Sequence, residues 1–295
     1  MPSTRDIRRR IKSIKNTSQI TKAMQMVAAS KMRKAQQAAL AGRPYATLMN
    51  EVMAEVTHHA GEFTHPLMEV RTGNRRCAIV VSTDKGLCGA LNSNLLREAA
   101  KFDKETTVYI TAGRKASQFI ARTKRQLAAE FTYKDAPLFS EARAISRFAR
   151  DMFLKGEVDR VDIVFTNFIS TLTQRPDTFP FLPVGKIKSV SAGLEGEGVS
   201  TPEELLKGAT EFLFEPGADV VLGEMLPHYL NFQVYQILLE AKASEHSARM
   251  VAMKNATENA KQLIKDLTLE YNKMRQAAIT NELLEISTAA MAMEA

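Results

Sequence analysis

The chain ends with residues 228–295, which read HYLNFQVYQILLEAKASEHSARMVAMKNATENAKQLIKDLTLEYNKMRQAAITNELLEISTAAMAMEA and contain neither glycine nor proline. The whole chain has 14 glycines and 10 prolines, so about five would be expected in this stretch; both residues are costly inside helices. One helix of this length would measure about 100 Å at 1.5 Å per residue, more than a compact domain can hold. The stretch therefore predicts one long helix of the kind found in coiled coils.

A second stretch without glycine or proline covers residues 3–41. Apolar residues recur in both stretches at spacings of three and four, but polar residues interrupt the stripes and alanines replace larger side chains. We expect the two helices to pair as a slender antiparallel coiled coil, with a stripe that drifts instead of keeping one heptad register. The predicted domains are an N-terminal helix (1–58), an inserted head (74–215) and a C-terminal helix (217–290).

The middle of the chain contains all 14 glycines and nine of the ten prolines. Its apolar runs predict strands at 76–82, 107–111, 161–169 and 178–184, the last at a sheet edge because it contains prolines. Helical patterns alternate with these strands at 92–102, 114–122 and 140–155. This alternation predicts an α/β head with a mainly parallel, Rossmann-like sheet. The polar, glycine-bearing residues 185–202 predict a mobile loop.

Positive charge is concentrated at the N-terminus. The chain has a net charge of +7, and residues 1–43 contribute eleven lysines and arginines against the single acid Asp6. Residues 228–295 carry seven basic and eight acidic side chains. The basic helix predicts an acidic partner, which is either a polyanion such as nucleic acid or an acidic protein surface. The remaining interpretation is that these basic side chains form a solvent-exposed face of the helix without a partner.

Several classes of protein are excluded by simple counts. No stretch approaches 18 consecutive apolar residues, so the sequence predicts no membrane span. The charged start of the chain is not followed by an apolar segment, which argues against a secretory signal. Cys77 and Cys88 are the only cysteines and predict a reducing compartment instead of a disulfide framework.

The loop STDKGLCGALN at residues 82–92 is the strongest local candidate for chemistry. Gly86 and Gly89 would let backbone N–H groups face an anion, but the loop matches neither a dinucleotide fingerprint nor a phosphate loop. A tight packing turn is the favoured interpretation, with Cys88 as a small buried side chain instead of a reactive thiol. A possible metal cluster is also unsupported, because its spacing matches no standard pattern of zinc ligands. Its residues would be His58, His59, Glu62 and His65. We expect no catalytic set, metal or cofactor.

Four separated blocks of the sequence resemble one family. Residues 14–36, the loop at 82–92 and residues 244–260 and 272–283 (SEHSARMVAMKNATENA and NKMRQAAITNEL) are similar to the γ subunit of F-type ATP synthases. The departures are small: Gln19 stands where a basic residue is common, Thr83 where serine is usual, and Ala90 where glycine is usual. The inserted cysteine pair of the chloroplast type is absent, so thiol control of rotation is not expected.

The resemblance implies a central rotor shaft without a catalytic site of its own. Such a shaft turns inside a hexamer of α and β subunits and contacts the ε subunit and the membrane ring of c subunits. The implied contacts with the β subunit are Arg275, Gln276 and Thr280 on a β-subunit loop, and Lys22 and Met24 facing an acidic lever. Arg249 is implied to be coupled to that same region.

Two other functions are compatible with parts of the sequence. A polyanion or nucleic-acid binder would use the basic N-terminal helix, although the C-terminal helix with its net charge of −1 would not help it. A stand-alone α/β nucleotide enzyme lacks the expected phosphate-binding motif. For the rotor we expect no membrane contact except through its complex. The absence of a transit peptide predicts a bacterial complex on the cytoplasmic face of the inner membrane.

Overall fold

A computed structural model describes residues 3–59, 65–184, 215 and 217–294. Residue contacts divide the chain into two compact units. Unit 1 contains Met1–Val27 and Met250–Ala295, and unit 2 contains Ala28–Arg249. The long terminal helices contribute residues to both units.

Six α-helices and five strands are found in the described ranges, together with a short 3₁₀ helix at Pro66–Met68. The helices are α1 (Thr4–Ala41), α2 (Arg43–His59), α3 (Leu91–Ala100), α4 (Arg114–Arg122), α5 (Phe139–Leu154) and α6 (Ala218–Glu294). The strands are β1 (Arg76–Val81), β2 (Thr107–Ala112), β3 (Gln126–Phe131), β4 (Arg160–Phe168) and β5 (Gln174–Leu182). None of the helices in these ranges has the length and hydropathy that crossing a membrane requires.

Unit 1 is an antiparallel coiled coil of α1 and α6. The Thr21 and Thr257 hydroxyls lie 2.7 Å apart in its core, and the Arg8 guanidinium lies 5.3 Å from the centre of the Tyr271 ring. Arg8 precedes Thr21 in the chain whereas Tyr271 follows Thr257, so the two helices run in opposite directions.

The register of this coiled coil is a strict heptad, and the expected drift of the stripe is wrong. Buried or half-buried side chains alternate at steps of three and four along both helices: Thr4, Ile7, Ile11, Ile14, Ser18, Thr21 and Gln25 in α1, and Met253, Thr257, Ala260, Ile264, Leu267, Tyr271 and Met274 in α6. The sequence pattern concealed the heptad because serine, threonine and glutamine occupy several core positions. Small polar side chains can be enclosed there when their hydroxyls find partners.

Unit 2 is built on a five-stranded sheet in the order β3-β2-β1-β4-β5. The first four strands are parallel, and Ile79 of β1 is in register with Ile110 of β2 and Ile163 of β4. The last strand, β5, is antiparallel to β4 and lies at the edge, as its prolines predicted. The strand β3 was missed because QLAAEF is a mostly exposed edge segment with few β-branched residues.

The two faces of the sheet are covered by different helices. Alternate residues of the central strands, such as Ala78 and Val80, pack against α3 and α4. The intervening residues, such as Cys77 and Ile79, pack against α2, α5 and the first part of α6. Helices on both faces of a mainly parallel sheet confirm the predicted Rossmann-like arrangement.

The terminal helices also meet antiparallel within unit 2. Ala35 of α1 and Ala243 of α6 share a small apolar cluster with Phe168, and Tyr45 of α2 packs on Phe232 with ring centres 4.7 Å apart. The helix α6 begins at Ala218 and passes through Pro227 without ending, although proline usually interrupts helices. The predicted mobile loop at 185–202 lies outside the described residues.

Candidate partner interface

Lys22 and Met24, two of the predicted contacts, lie in unit 1 beside the Thr21–Thr257 pair. Lys22 is exposed and Met24 is half-buried. Both flank a core layer whose side chains are small and polar. The backbone of a helix pair with such a core can come close together, and this leaves the outward side chains available to a partner.

Arg275, Gln276 and Thr280 lie at a different level of the same unit. All three are exposed, and the Thr280 hydroxyl donates to the Gln276 carbonyl oxygen at 3.0 Å. Arg275 lies 18 residues beyond Thr257 along α6, which corresponds to about 27 Å at the helical rise. The structure therefore does not bring the two predicted sets together, and they lie at two separate levels along unit 1.

Beyond Met274 the helix α6 has no partner within the described part of the chain. Every side chain from 275 to 289 is exposed, including Ile279, Leu283, Leu284 and Ile286. The reason is geometric, since the heptad register places Met274 opposite Thr4, where α1 begins. Ala278 and Leu284, which the apolar spacing in the sequence assigned to the helix pair, are therefore exposed. Leu263, at 51% exposure, is likewise outside the pair.

Arg249 lies in unit 2 and its side chain is occupied by other residues of that unit. Its Nη2 is 2.8 Å from Glu245 Oε1 and donates to the carbonyl oxygens of Gly86, at 3.2 Å, and Lys85, at 3.4 Å. Only 13% of the side chain is exposed. A role of Arg249 in coupling would therefore act through the loop at 82–92 as well as through direct contact.

Arg249 is part of a group of titratable side chains, mostly buried and bordered by the exposed Asp135, that sequence analysis missed. We call it the charge cluster, and it consists of Asp135, Lys242, Glu245, His246 and Arg249. Lys242 Nζ lies 3.0 Å from Glu245 Oε2 and 3.6 Å from Asp135 Oδ1. Lysine and glutamate at i and i+3 of one helix were visible in the sequence, but an exposed pair has the same spacing.

The ionisation of the cluster follows from burial and from neighbouring charges. A hydrogen bond from Lys31, together with the charge of Lys242, lowers the pKa of Asp135. Burial lowers the pKa of His246 to about 4 against the opposing effect of Glu245 and Asp135. Burial and the nearby carboxylates raise the pKa of Tyr133, which lies under Lys242, well above its ordinary value. At neutral pH the tyrosine and histidine are therefore uncharged.

The loop at 82–92, called the glycine loop below, is a hydrogen-bonded turn, but its glycines do not pack closely as favoured from the sequence, since a Cβ at Gly86 or Gly89 would meet no atom within 4 Å. Thr83 donates to the Lys85 carbonyl oxygen at 2.7 Å, and Asn92 bonds the Thr83 hydroxyl at 2.8 Å. Leu87 has a positive φ of 62° and an exposed side chain. Cys88 is buried, and burial raises the pKa of its thiol. Among the described residues, no three His, Cys, Asp or Glu side chains are grouped so that they could hold a metal ion.

The class that this fold defines is an antiparallel pair of long helices from the two ends of the chain, with a mainly parallel α/β domain inserted between them in sequence.

The family model described as ATP synthase matches residues 3–293. The chain is 50% identical over 293 residues to the ATP synthase gamma chain of Opitutus terrae and 47% identical over 298 residues to that of Methylacidiphilum infernorum. These alignments cover 99% of this chain and 99% and 100% of the relatives. The chain therefore belongs to the ATP synthase family, in which its relatives are γ chains.

Solved structures agree with this assignment. A chain of the Euglena gracilis mitochondrial ATP synthase has a TM-score of 0.69 at 20% identity, with 98% of this chain and 94% of that chain covered. A chain from the central stalk and c-ring of the Tetrahymena thermophila enzyme has a TM-score of 0.59 at 26% identity, covering 80% of this chain and 99% of that one. The first likeness shows the fold. The γ chain is a non-catalytic subunit, and the polyanion-binding alternative receives no support.

Proposed function

We propose that the chain is the central rotor shaft of a proton-driven rotary ATP synthase. It couples rotation of the membrane c-ring to conformational change at the catalytic β subunits. Its partners are the hexamer of α and β subunits, the ε subunit and the c-ring, and it meets the membrane only through this complex. Membership of the ATP synthase family and the relatives' name as γ chains support this function.

The observation that carries the proposal is the unpaired C-terminal part of α6. From Arg275 to Ala289 the helix is exposed on all sides, and Ile286 is 67% exposed. Exposed apolar residues in a row along a helix mark a surface that a partner covers. A sleeve formed by several subunits would cover every side of this helix while allowing it to turn.

Rotation transmits energy because the shaft is not symmetric. Each β subunit in turn meets a different side of the coiled coil, and its conformational equilibrium shifts according to its differential affinity for that side. We assign Arg275, Gln276 and Thr280 to a β-subunit loop near the end of the shaft. Lys22 and Met24 face the acidic lever of the β subunit, and Arg249 is coupled to that region.

We also propose the location and the domain division of the chain. The complex lies on the cytoplasmic face of a bacterial inner membrane, with this chain as a peripheral component. The working domains are the shaft helices at 1–58 and 217–290 and the head at 74–215.

Co-purification tests the rotor function. A tagged chain, expressed with the α and β subunits and the membrane sector of the same organism, is expected to elute with them and with membrane fragments. The matched control is the tagged chain lacking residues 275–295. Recovery of nucleic acid instead, with binding lost steeply as salt rises, would contradict the proposal.

Met24→Lys tests the assigned contact level. The new cation is expected to bind the acidic lever too strongly, so that less ATP is made per proton while folding is unchanged. Met24→Gln is the control, because it keeps the length of the side chain without adding charge. ATP yield per proton is measured in membrane vesicles with a fixed proton gradient, and an unchanged yield for the lysine variant would refute the assignment of Met24.

A further inference from the structure

The charge cluster contains a lysine that has almost no access to water. Only 2% of the Lys242 side chain is exposed. Its ammonium group lies between Glu245, Asp135 and the Tyr133 ring, whose centre is 4.5 Å from Nζ. Lysine is rarely buried, because removing its charge from water is costly unless partners compensate. The partners here come from α6 itself and from the segment that follows β3.

The cluster joins α6 to three other parts of unit 2. Asp135 follows β3 and also pairs with Lys31 of α1. Tyr133 donates through its hydroxyl to the Ser82 carbonyl oxygen at the end of β1, at 3.0 Å. Arg249 donates to the carbonyl oxygens of the glycine loop. One segment of α6 is thereby bonded to α1 and to the two loops that follow the carboxyl ends of β1 and β3.

Serines on the same segment of α6 extend the connection to a fourth element. The Ser244 hydroxyl donates to the Thr166 carbonyl oxygen of β4 at 3.1 Å, and the Ser247 hydroxyl donates to the Thr171 carbonyl oxygen at 2.8 Å. Earlier in α6, contact with the sheet is made by apolar residues such as Ile237 and Leu238. The earlier part of α6 also has side-chain hydrogen bonds, such as that from Arg150 to Asn231 at 3.4 Å. What this later segment adds is a group of ion pairs and bonds to backbone carbonyl oxygens.

This group of directional bonds has a mechanical consequence. Apolar packing is non-directional and opposes sliding or turning of a helix only through shape. Buried ion pairs and hydrogen bonds have fixed geometry, and losing one partner leaves an uncompensated charge. A helix held in this way resists rotation about its own axis.

We propose that Lys242 and Arg249, both oriented by Glu245 of the same helix, form a torque-bearing joint that fixes the rotation of α6 against the sheet of unit 2. Lys242 reaches Asp135 after β3, and Arg249 reaches the loop after β1. The three are positioning residues, because they act through the helix and the glycine loop and not on a substrate. This role rests on the proposed rotor function, in which torque passes along α6. The joint matters most under load, when the proton gradient opposes the rotation driven by ATP.

Lys242→Met tests the joint, because methionine fills similar space without a charge. The variant is built into the complete complex, and ATP hydrolysis and ATP-driven proton pumping are measured together in membrane vesicles. Without a proton gradient, we expect the variant complex to hydrolyse ATP at nearly the same rate as the complex with the original sequence. The number of protons pumped per ATP should fall severalfold as the opposing gradient rises, because the helix slips.

The exposed pair Lys101 and Glu98 supplies a matched control. These residues are also three apart at the end of a helix, with nitrogen and oxygen 2.7 Å from each other, but the lysine is 65% exposed. Lys101→Met should leave the number of protons per ATP unchanged at every gradient. An equal loss in this control would show that pumping responds to any lysine change and would overturn the proposal.

A second variant covers the case in which Lys242→Met prevents folding. The double change Lys242→Met with Glu245→Gln removes both charges of the buried pair. Lys31 still compensates Asp135, and Arg249 keeps its bonds to the carbonyl oxygens of Gly86 and Lys85. If this variant assembles and loses pumping under load, the joint is supported. If assembled variants melt at lower temperature but pump normally, or if neither variant assembles, the cluster serves folding alone and the proposal is wrong. Absence of pumping in the unchanged complex would refute the rotor function itself.

Discussion

At the residue scale, burial decides the chemistry of side chains that the sequence leaves ambiguous. His246 lies in the middle of α6 and has an ordinary sequence context. In the structure it is enclosed among Lys242, Glu245, Arg249 and Asp135, and its Nδ1 lies 3.4 Å from Arg249 Nη1. A proton on His246 would place a third positive charge beside Lys242 and Arg249. The folded chain therefore keeps this imidazole neutral.

The low pKa of His246 predicts a pH dependence of stability. The folded pKa is about 4, below the ordinary value of 6.5, so between these values the unfolded chain binds more protons. The contribution to the free energy of unfolding is complete above about pH 6.5 and is lost as pH falls toward 4, with a slope of at most about 1.4 kcal/mol per pH unit.

His246→Gln should remove this part of the acid sensitivity. Denaturant unfolding is measured from pH 7 to pH 4.5, and over this range the free energy of unfolding should fall less for the variant than for the original chain. All other titratable side chains are the same in both proteins, so the difference between the two pH curves isolates the histidine. Parallel curves would show that His246 is not held neutral by its surroundings.

At the scale of elements, the heptad of unit 1 depends on how its polar core residues are satisfied. The Thr257 hydroxyl donates to the Met253 carbonyl oxygen at 2.8 Å and lies within hydrogen-bonding distance of the Thr21 hydroxyl. An interhelical contact of this kind specifies register, since sliding either helix by one turn would leave buried hydroxyls unmatched. Apolar residues alone specify register less strictly.

Thr21→Val should destabilise the chain by about 1 kcal/mol, because it removes one side of a buried hydrogen bond. The double change Thr21→Val with Thr257→Val should restore stability or exceed it, since two apolar groups of the same shape then meet. Thermal unfolding followed by circular dichroism compares the three proteins. A double variant less stable than either single variant would show that the hydroxyl pair contributes more than register.

At the scale of the whole molecule, the chain buries most apolar residues of its two units but leaves the C-terminal part of α6 exposed. Residues from Arg275 to Ala289 are exposed and make no interhelical contact within the described residues. The rest of the fold is therefore expected to form without this segment, although assembly with the α and β subunits is expected to require it.

Removal of residues 275–295 should leave the melting temperature of the isolated chain within a few degrees, because no buried contact is lost. The same change should weaken retention of the α and β subunits in co-purification. Replacing Ile279, Leu283 and Ile286 by glutamine keeps the helix length and isolates the apolar contribution. A large drop in melting temperature after truncation would mean that this segment packs against the rest of the chain.

Local patterns in the sequence determined the elements and the class of fold. Glycine and proline are so costly inside helices that their absence from 228–295 was enough to predict a long helix. The alternation of apolar runs with helical patterns was enough to predict a mainly parallel sheet. The edge position of the last strand followed from its prolines.

Only the tertiary structure decided the heptad register and the charge cluster. Thr21 and Lys242 look like surface residues in the sequence, because their partners Thr257 and Asp135 are more than a hundred positions away. Whether a polar side chain is buried depends on partners that only folding brings near, and compensation by those partners sets its energy. For the same reason, the sequence did not show where the pairing of α6 with α1 stops. The structure places the last paired residue at Met274, and residues 275–289 are exposed.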